Sequence, residues 1–421
     1  MKIFIFLIFC GIFGVFSDDR KCSEATSKKI FCYYQSSSAL NSSFNENFYN
    51  YPPPCTHIIF AFAGLDINGK IVLSQNHQIE TQIEKEIFNL IKLKEKRECL
   101  KILISVGGYD EGSEKFSSLV ETDDSIEKFS NNVLKFLIFY GFDGIDIHWM
   151  YPTMRGGIPE DRLNFVKLLK VLKQKLNKRN KLVVAALGAK SSLISSAYEP
   201  IKNICDTLDY ALFMTYDYND RHKTSINAPL LQDNEVQHKE TINENIQKLL
   251  AEGCDEKKII LGISTYGKVY KLKYAFENFL GANANEMNDF HENKIDGGNV
   301  EYEKICNALN NNVSIFNNHK HTMWTIQKLT NSHSKYAFHD RFWISYDDHE
   351  TVDIKTLYAL SKNLNGLMFF TINGDGNCVL NFPLINSAHK IIKEYEKHCH
   401  NLSSQICVKK LAKNHEIQIN F

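Results

Sequence analysis

Apolar positions along the chain gather into eight short, β-rich runs at wide intervals, at 30–34, 57–63, 101–106, 141–148, 181–187, 208–215, 258–264 and 366–372. Several are almost uninterrupted in apolar residues. That is the pattern of parallel strands covered by helices on one face and by packed side chains on the other. Between most of them lie charged stretches with helical character, such as 79–96, 125–140, 161–178 and 241–253. Strand and helix alternating in this way predict an α/β fold, a (β/α)8 TIM barrel, with its chemistry at the C-terminal strand ends. One interval breaks the rhythm. About 100 residues separate the seventh run from the eighth, where a helix and two loops need about 30. An α+β insertion subdomain is therefore expected at 268–341, with mixed strand and helix signals such as 302–310. The barrel is expected at 18–267 and 342–398. The tail, 399–421, carries Cys399 and Cys407 but no clear periodicity, and is expected to be a short disulfide-tied extension.

The N-terminus reads differently. Lys2 precedes an apolar stretch at 3–16, which is followed by Ser17 and by charged Asp18, Asp19 and Arg20. A stretch of about 14 residues is too short to span a bilayer comfortably, and small Ser17 with Val15 two residues before it suits signal peptidase. Residues 1–17 are thus expected to be a cleaved signal peptide, and the protein to be secreted and extracellular. No later apolar run is long enough to predict a membrane span.

Composition narrows the partners. With 49 basic and 49 acidic side chains the formal net charge is +0, which leaves no general excess of cations for neutralising a nucleic acid. The 28 Phe and 19 Tyr supply apolar area for a large core, so no metal or cofactor is needed as a staple. Of the 11 cysteines, Cys10 leaves with the signal, and the even remainder favours disulfides in an oxidising compartment. No CxxC pair suggests zinc; neither a metal nor a cofactor is expected. Asn41, Asn312 and Asn401 each open an N-x-S/T sequon and are expected to be glycosylated.

The most informative stretch is Gly141-Phe-Asp-Gly-Ile-Asp-Ile-His-Trp-Met-Tyr-Pro152. Strand side chains alternate faces, so Asp146, His148 and Met150 point one way and Ile145, Ile147 and Trp149 the other. On a fourth barrel strand the first set faces the lumen and climbs toward the mouth. The stretch resembles the fourth-strand motif DGxDxDWEYP of the family 18 glycoside hydrolases, the chitinases and chitinase-like proteins. The resemblance covers nearly the whole expected mature chain, through Phe31-Cys-Tyr-Tyr34, Cys55-Thr-His-Ile-Ile-Phe-Ala-Phe-Ala63, Ser105-Val-Gly-Gly-Tyr109, Met214-Thr-Tyr-Asp217, Leu261-Gly-Ile-Ser-Thr-Tyr-Gly267 and Trp343-Ile-Ser-Tyr-Asp-Asp348. It implies the same barrel with an α+β insertion. It also implies disulfides between Cys32 and Cys55 and between Cys306 and Cys378, while Cys22, Cys99, Cys205, Cys254, Cys399 and Cys407 stay unassigned.

The departures from the motif carry the functional expectation. Where the resemblance places the glutamic acid that protonates the leaving oxygen stands Met150, and a thioether has no proton to give. The preceding lumen-facing aspartate, which holds the sugar's acetamido group during substrate-assisted attack, is His148. With Asp143 and Asp146 these make a degenerate motif with no catalytic residue expected. The same resemblance puts Tyr33, Phe62, Tyr109, Tyr151, Met214, Tyr216, Asp217, Met368 and Phe370 around a sugar-binding cleft. Family tryptophans align with Ser37, Tyr109 and Phe370, of which the last two can still stack on a pyranose. Near the eighth strand, Asn373 and Gly374 precede Asp375 where acidic partners are usual.

The reading is a chitinase-like protein without hydrolase activity that binds chitin or N-acetylglucosamine oligosaccharides. The alternative is a growth-factor-like or immune-modulating ligand for a protein receptor, with no sugar bound. Against the growth-factor form, Tyr151-Pro-Thr-Met-Arg-Gly-Gly157 runs straight to Asp161 and its helix, with no long loop. Residual chitinase activity, with Asp217 or His148 standing in as acid, is the third reading.

Overall fold

A computed structural model describes residues 26–36, 47–198, 200–233, 238–286, 289–290, 295–296, 298–311, 315, 323–378, 380–399 and 402–419. The expected signal segment, Cys22, Ser37, Asn41, Asn312 and Asn401 lie outside those residues.

The eight apolar runs become eight parallel strands: β1 (Lys29–Gln35), β2 (His57–Leu65), β3 (Lys101–Gly107), β4 (Gly144–His148), β5 (Leu182–Gly188), β6 (Tyr210–Met214), β7 (Ile259–Ser264) and β8 (Gly366–Phe370). Each pairs with its sequence neighbour among the eight, and β1 pairs with both β2 and β8, which closes the (β/α)8 barrel. Closure leaves no barrel edge, so the strands can be apolar on both faces. The outer face is covered by helices. Among them are α1 (His77–Lys96), α2 (Asp123–Tyr140), α3 (Asp161–Asn177), α4 (Ile242–Ala251), α5 (His349–Ser361) and α6 (Pro383–His398). In α3 the buried apolar side chains are Phe165, Val166, Leu168, Leu169, Leu172 and Leu176, a stripe of helical period laid against the sheet.

Two boundaries differ from the sequence reading. The fourth strand starts at Gly144 rather than at 141, because Gly141 sits at φ +82° as the C-cap of α2, its N–H on Leu137 O at 3.0 Å. That left-handed conformation suits glycine and stops the helix. Asp143 follows it, with one carboxylate oxygen accepting the Ile102 N–H at 2.9 Å.

The second difference concerns the insertion. A second, antiparallel sheet is built on strand Tyr266–Leu272, which pairs with Phe342–Tyr346 on one side and with Asn299–Glu301 on the other. The sheet thus reaches beyond 268–341 at both ends: the segments where the chain enters and leaves the insertion are themselves paired strands. A separate small core holds it, with Trp343 stacked on Tyr336 at 4.6 Å and edge-on to Tyr270 at 5.6 Å. Helix Tyr302–Asn311 packs beneath.

The tail is more regular than expected. It forms a helix, α7 (Ser404–Asn414), whose Cys407, Val408, Leu411 and Ala412 are buried in a cluster with Leu357, Leu360 and Ile391. Disulfides join Cys32 to Cys55, Cys205 to Cys254, Cys306 to Cys378 and Cys399 to Cys407, and Cys99 is disulfide-bonded as well. No helix among the described residues is long and apolar enough to cross a membrane.

Candidate functional site

Strand β4 delivers its side chains to two environments. Outside the barrel, Trp149 stacks on Phe116 at 5.0 Å, meets Phe165 edge-on at 5.7 Å and donates its indole N–H to Ser113 Oγ at 2.8 Å. Inside, Asp146 is fully buried, and its Oδ2 accepts from Tyr33 OH at 2.8 Å and from Ser105 Oγ at 2.6 Å. His148 lies one layer higher, its ring edge-on to Phe62 at 5.0 Å and to Tyr33 at 5.6 Å. Its Nδ1 is 3.6 Å from Asp146 Oδ2, too far for a hydrogen bond. Both His148 Nδ1 and Asp146 Oδ1 are buried without a partner. Met150 tops the column, half-buried, with its carbonyl accepting from Arg155 at 3.3 Å.

The loop after β3 folds back onto this column. Gly108 N–H donates to His148 O at 2.9 Å, and Gly107 adopts φ +113° with that same oxygen 2.5 Å from where a Cβ would stand. Only glycine fits so close a backbone approach.

Aromatic rings from β1, β2 and β8, with Tyr216 just past the end of β6, make the floor. Phe370 lies 5.2 Å from Tyr33, 6.3 Å from His148, 6.4 Å from Phe62 and 6.4 Å from Tyr216. The residues expected at the cleft divide by burial. Tyr33, Met214, Tyr216 and Met368 are buried and form the layer beneath, while Phe62, Met150, Tyr151 and Phe370 are half-buried. Tyr109 stands out at the rim, 64% exposed, with the Arg155 guanidinium 3.9 Å over its ring. Peptide bonds Ala61–Phe62, Met150–Tyr151 and Phe370–Thr371 at this end of the barrel are cis.

Asp217 is a half-exposed carboxylate, with its side chain 46% exposed. Its Oδ1 accepts from Tyr266 OH at 2.9 Å and pairs with Lys268 Nζ at 3.3 Å. Burial pushes the phenols of Tyr33, Tyr216 and Tyr266 well above their ordinary range, and the neighbouring carboxylates push the same way. Tyr151 is raised too, by burial first and then by Asp217. These rings are neutral hydrogen-bond donors at any physiological pH, not proton shuttles.

Three residues singled out from sequence lie elsewhere. Asp143 pairs with Lys94 of α1 at 2.8 Å, at the base of β4. Asn373 brackets the end of β1, accepting from Gln35 N at 2.9 Å and donating to Gln35 O at 3.0 Å. Asp375 is buried and takes the N–H groups of Leu384 and Ile385 at the start of α6, at 3.0 and 2.9 Å. Conversely, the geometry adds Ser105 to the buried layer beneath the mouth, and Tyr266 and Lys268 to the mouth as partners of Asp217. Ser105 and Tyr266 lie within motifs quoted above, but nothing in their spacing distinguishes a mouth residue from a packed one. Among the described residues no group of three or more His, Cys, Asp or Glu side chains could hold a metal ion.

Chemically, the mouth offers an aromatic floor and a half-exposed carboxylate paired with a lysine, suited to a ligand with apolar ring faces and hydroxyl or amide edges. The family model described as glycosyl hydrolases family 18 matches residues 29–375. Probable chitinase 2 of Drosophila melanogaster is 31% identical over 350 residues, covering 81% of this chain and 71% of that protein. The crystal structure of Ostrinia furnacalis Group IV chitinase superposes with a TM-score of 0.77 at 27% identity, over 87% of this chain and 100% of that one. Human YKL-39, described as a pseudo-chitinase with retained chitooligosaccharide binding properties, shares the fold with a TM-score of 0.73 at 24% identity, over 87% of this chain and 100% of that one.

Proposed function

The chain belongs to the family 18 glycosyl hydrolases, and from that premise we propose that it is a secreted chitinase-like protein that binds chitin-type oligosaccharides at the barrel mouth without hydrolysing them. The observation that carries the reading is Met150 at the top of the β4 column, where the family motif resembled by 141–152 has its acid. A general acid must present a proton within hydrogen-bond reach of the leaving oxygen. A thioether has none.

The neighbours offer poor substitutes. Asp146 is sealed beneath His148 and engaged by Tyr33 and Ser105. Asp217 is occupied as an acceptor by Tyr266 and Lys268. The Nδ1 of His148 has no partner and is buried, so a sugar in the mouth cannot reach that atom. Binding is supported by the half-buried Phe62 and Phe370 and by exposed Tyr109, whose rings can cover the apolar face of a pyranose, and by Asp217 for hydroxyl or amide donors. Secretion is supported by the apolar stretch at 3–16 and by disulfides such as Cys205–Cys254 and Cys399–Cys407, which persist in oxidising compartments.

Two measurements on the purified protein test the proposal. Calorimetric titration with chitotetraose should show saturable heat, and a fluorogenic chitobioside should show no turnover above buffer. Absence of heat together with absence of competition on chitin beads removes the binding half and leaves a protein-receptor ligand as the surviving reading. Turnover that disappears on Asp217→Asn removes the inactive half.

A further inference from the structure

Two loops at the mouth, 108–113 after β3 and 149–157 after β4, are clipped together by the buried Ser113. Its N–H donates to Arg155 O at 3.0 Å and its hydroxyl to Tyr151 O at 2.9 Å, while the same hydroxyl accepts the Trp149 indole N–H at 2.8 Å. Arg155 itself adopts φ +52°, a left-handed conformation that a residue with a long side chain keeps only when its surroundings impose it. The clip fixes where the Arg155 side chain starts. From there it reaches back to the β3 loop.

One guanidinium makes three contacts there. Its Nη1 donates to Tyr109 O and, at 3.3 Å, to Met150 O, and its Cζ lies 3.9 Å from the centre of the Tyr109 ring. Arg155 is exposed, and a solvated arginine gives up rotamer freedom to hold such a geometry, so burial does not account for it. Tyr109 has one ring face covered by the cation and, at 64% exposure, the other left to solvent. The ring also continues the floor. A Cβ on Gly108, the residue before it, would stand 3.0 Å from the Phe62 ring, which itself lies 6.4 Å from Phe370. Tyr109 therefore begins one residue from the backbone that touches the floor.

We infer that Arg155 is a positioning residue: it holds the Tyr109 ring as a one-faced platform for the sugar unit next to the one that rests on Phe62 and Phe370. The inference rests on the sugar-binding reading and supplies the device that presets its rim. A free tyrosine at a rim turns about two side-chain torsions and must be ordered when a ligand stacks on it. A ring already held by a cation over one face and by a hydrogen bond to its own carbonyl has that ordering done beforehand, which raises affinity with no new contact to the ligand.

The test is calorimetric titration of the whole protein with chitotetraose, in wild type, Arg155→Ala, Tyr109→Ala and the double variant. Tyr109→Ala should weaken binding about fivefold, and Arg155→Ala about two- to fivefold. Because Arg155 acts through the ring, the double variant should bind no more weakly than Tyr109→Ala alone, a coupling that general damage to the loops would not produce. Arg155→Met, which keeps the stem and removes the charge and the donors, should match Arg155→Ala and carries the test if the alanine variant does not fold. If either single variant binds as wild type does, or if the Arg155 loss adds in full to the Tyr109 loss, the inference is overturned and the sugar-binding reading stands. If wild type itself gives no heat with chitotetraose, both fall, and the wild-type titration alone identifies that case.

Discussion

Both ends of the barrel lumen bury a histidine among aromatic rings, and they treat it differently. At the N-terminal end, His57 of β2 stacks on Phe31 at 4.1 Å, lies 5.7 Å from Tyr210 and has its Nδ1 2.8 Å from Thr56 Oγ1. At the C-terminal end, His148 of β4 is packed as tightly, edge-on to Phe62 and Tyr33, but its Nδ1 has no partner, and neither has Asp146 Oδ1 below it. Buried polar atoms are nearly always satisfied in folded proteins, so the difference is informative. The lower end has been settled as core. The upper end keeps the residue of a polar site, where an aspartate and a histidine share a space without a bond between them, at the end of the barrel where function gathers.

On the proposed reading, the largest effect should come from the double variant His148→Asp with Met150→Glu, which supplies both carboxyl groups of the motif that 141–152 resembles. A positioned general acid is worth about 10²- to 10⁴-fold in rate. Turnover of a fluorogenic chitobioside is expected to rise at least about 100-fold above the wild-type background. No gain at all would mean that the upper end, like the lower, has become plain core, which breaks the comparison.

A smaller effect should appear at the lower end as a dependence on pH. Burial first, and then the charges of Lys29 and Lys101, depress the His57 pKa to about 3. The folded state therefore holds a neutral imidazole, while the unfolded chain takes up a proton below about pH 6.5. Stability from this group is complete above that value and is lost as pH falls from about 6.5 toward 3. Between pH 7 and pH 4 the loss should be about 3 kcal/mol. Urea denaturation of wild type and His57→Phe at both pH values isolates it: the variant should lose that much less on acidification. Equal slopes for the two proteins would show that His57 is not the neutral, enclosed group described.

The two ends also differ in how legible they were from sequence. The strands are near-continuous in branched and aromatic residues, so their existence and order follow from the pattern alone, and alternation on 144–148 correctly sets Asp146 and His148 against Ile147 and Trp149. Gly141 misled because a glycine before an apolar run reads equally as strand start or helix cap, and only its φ of +82° decides. The α7 stripe at 407, 408, 411 and 412 was missed because a single helical turn of apolar residues is too short to stand out. At the mouth, residue types were legible and accessibility was not. Tyr33, Tyr216 and Met368 are covered by rings from other strands, and that depends on strand register rather than on spacing.

The smallest and most direct comparison sets His148→Phe beside His57→Phe, both measured at pH 7. Phenylalanine keeps the ring edges that His148 shares with Phe62 and Tyr33, and it removes a buried nitrogen that lacks a partner. Leaving such an atom unsatisfied costs about 1–3 kcal/mol, so its removal should leave stability unchanged or raise it by about 1 kcal/mol. His57→Phe gives up the contact with Thr56 Oγ1 and should lose about 1 kcal/mol instead. Because His148 Nδ1 is closed to solvent, chitotetraose affinity in His148→Phe should stay within about twofold of wild type. A stability loss in His148→Phe as large as that of His57→Phe would assign the nitrogen a hidden partner, for which an enclosed water bridging it to Asp146 Oδ1 is the natural choice. The two histidines would then be equally satisfied, and the upper end would have to be distinguished by Met150 alone.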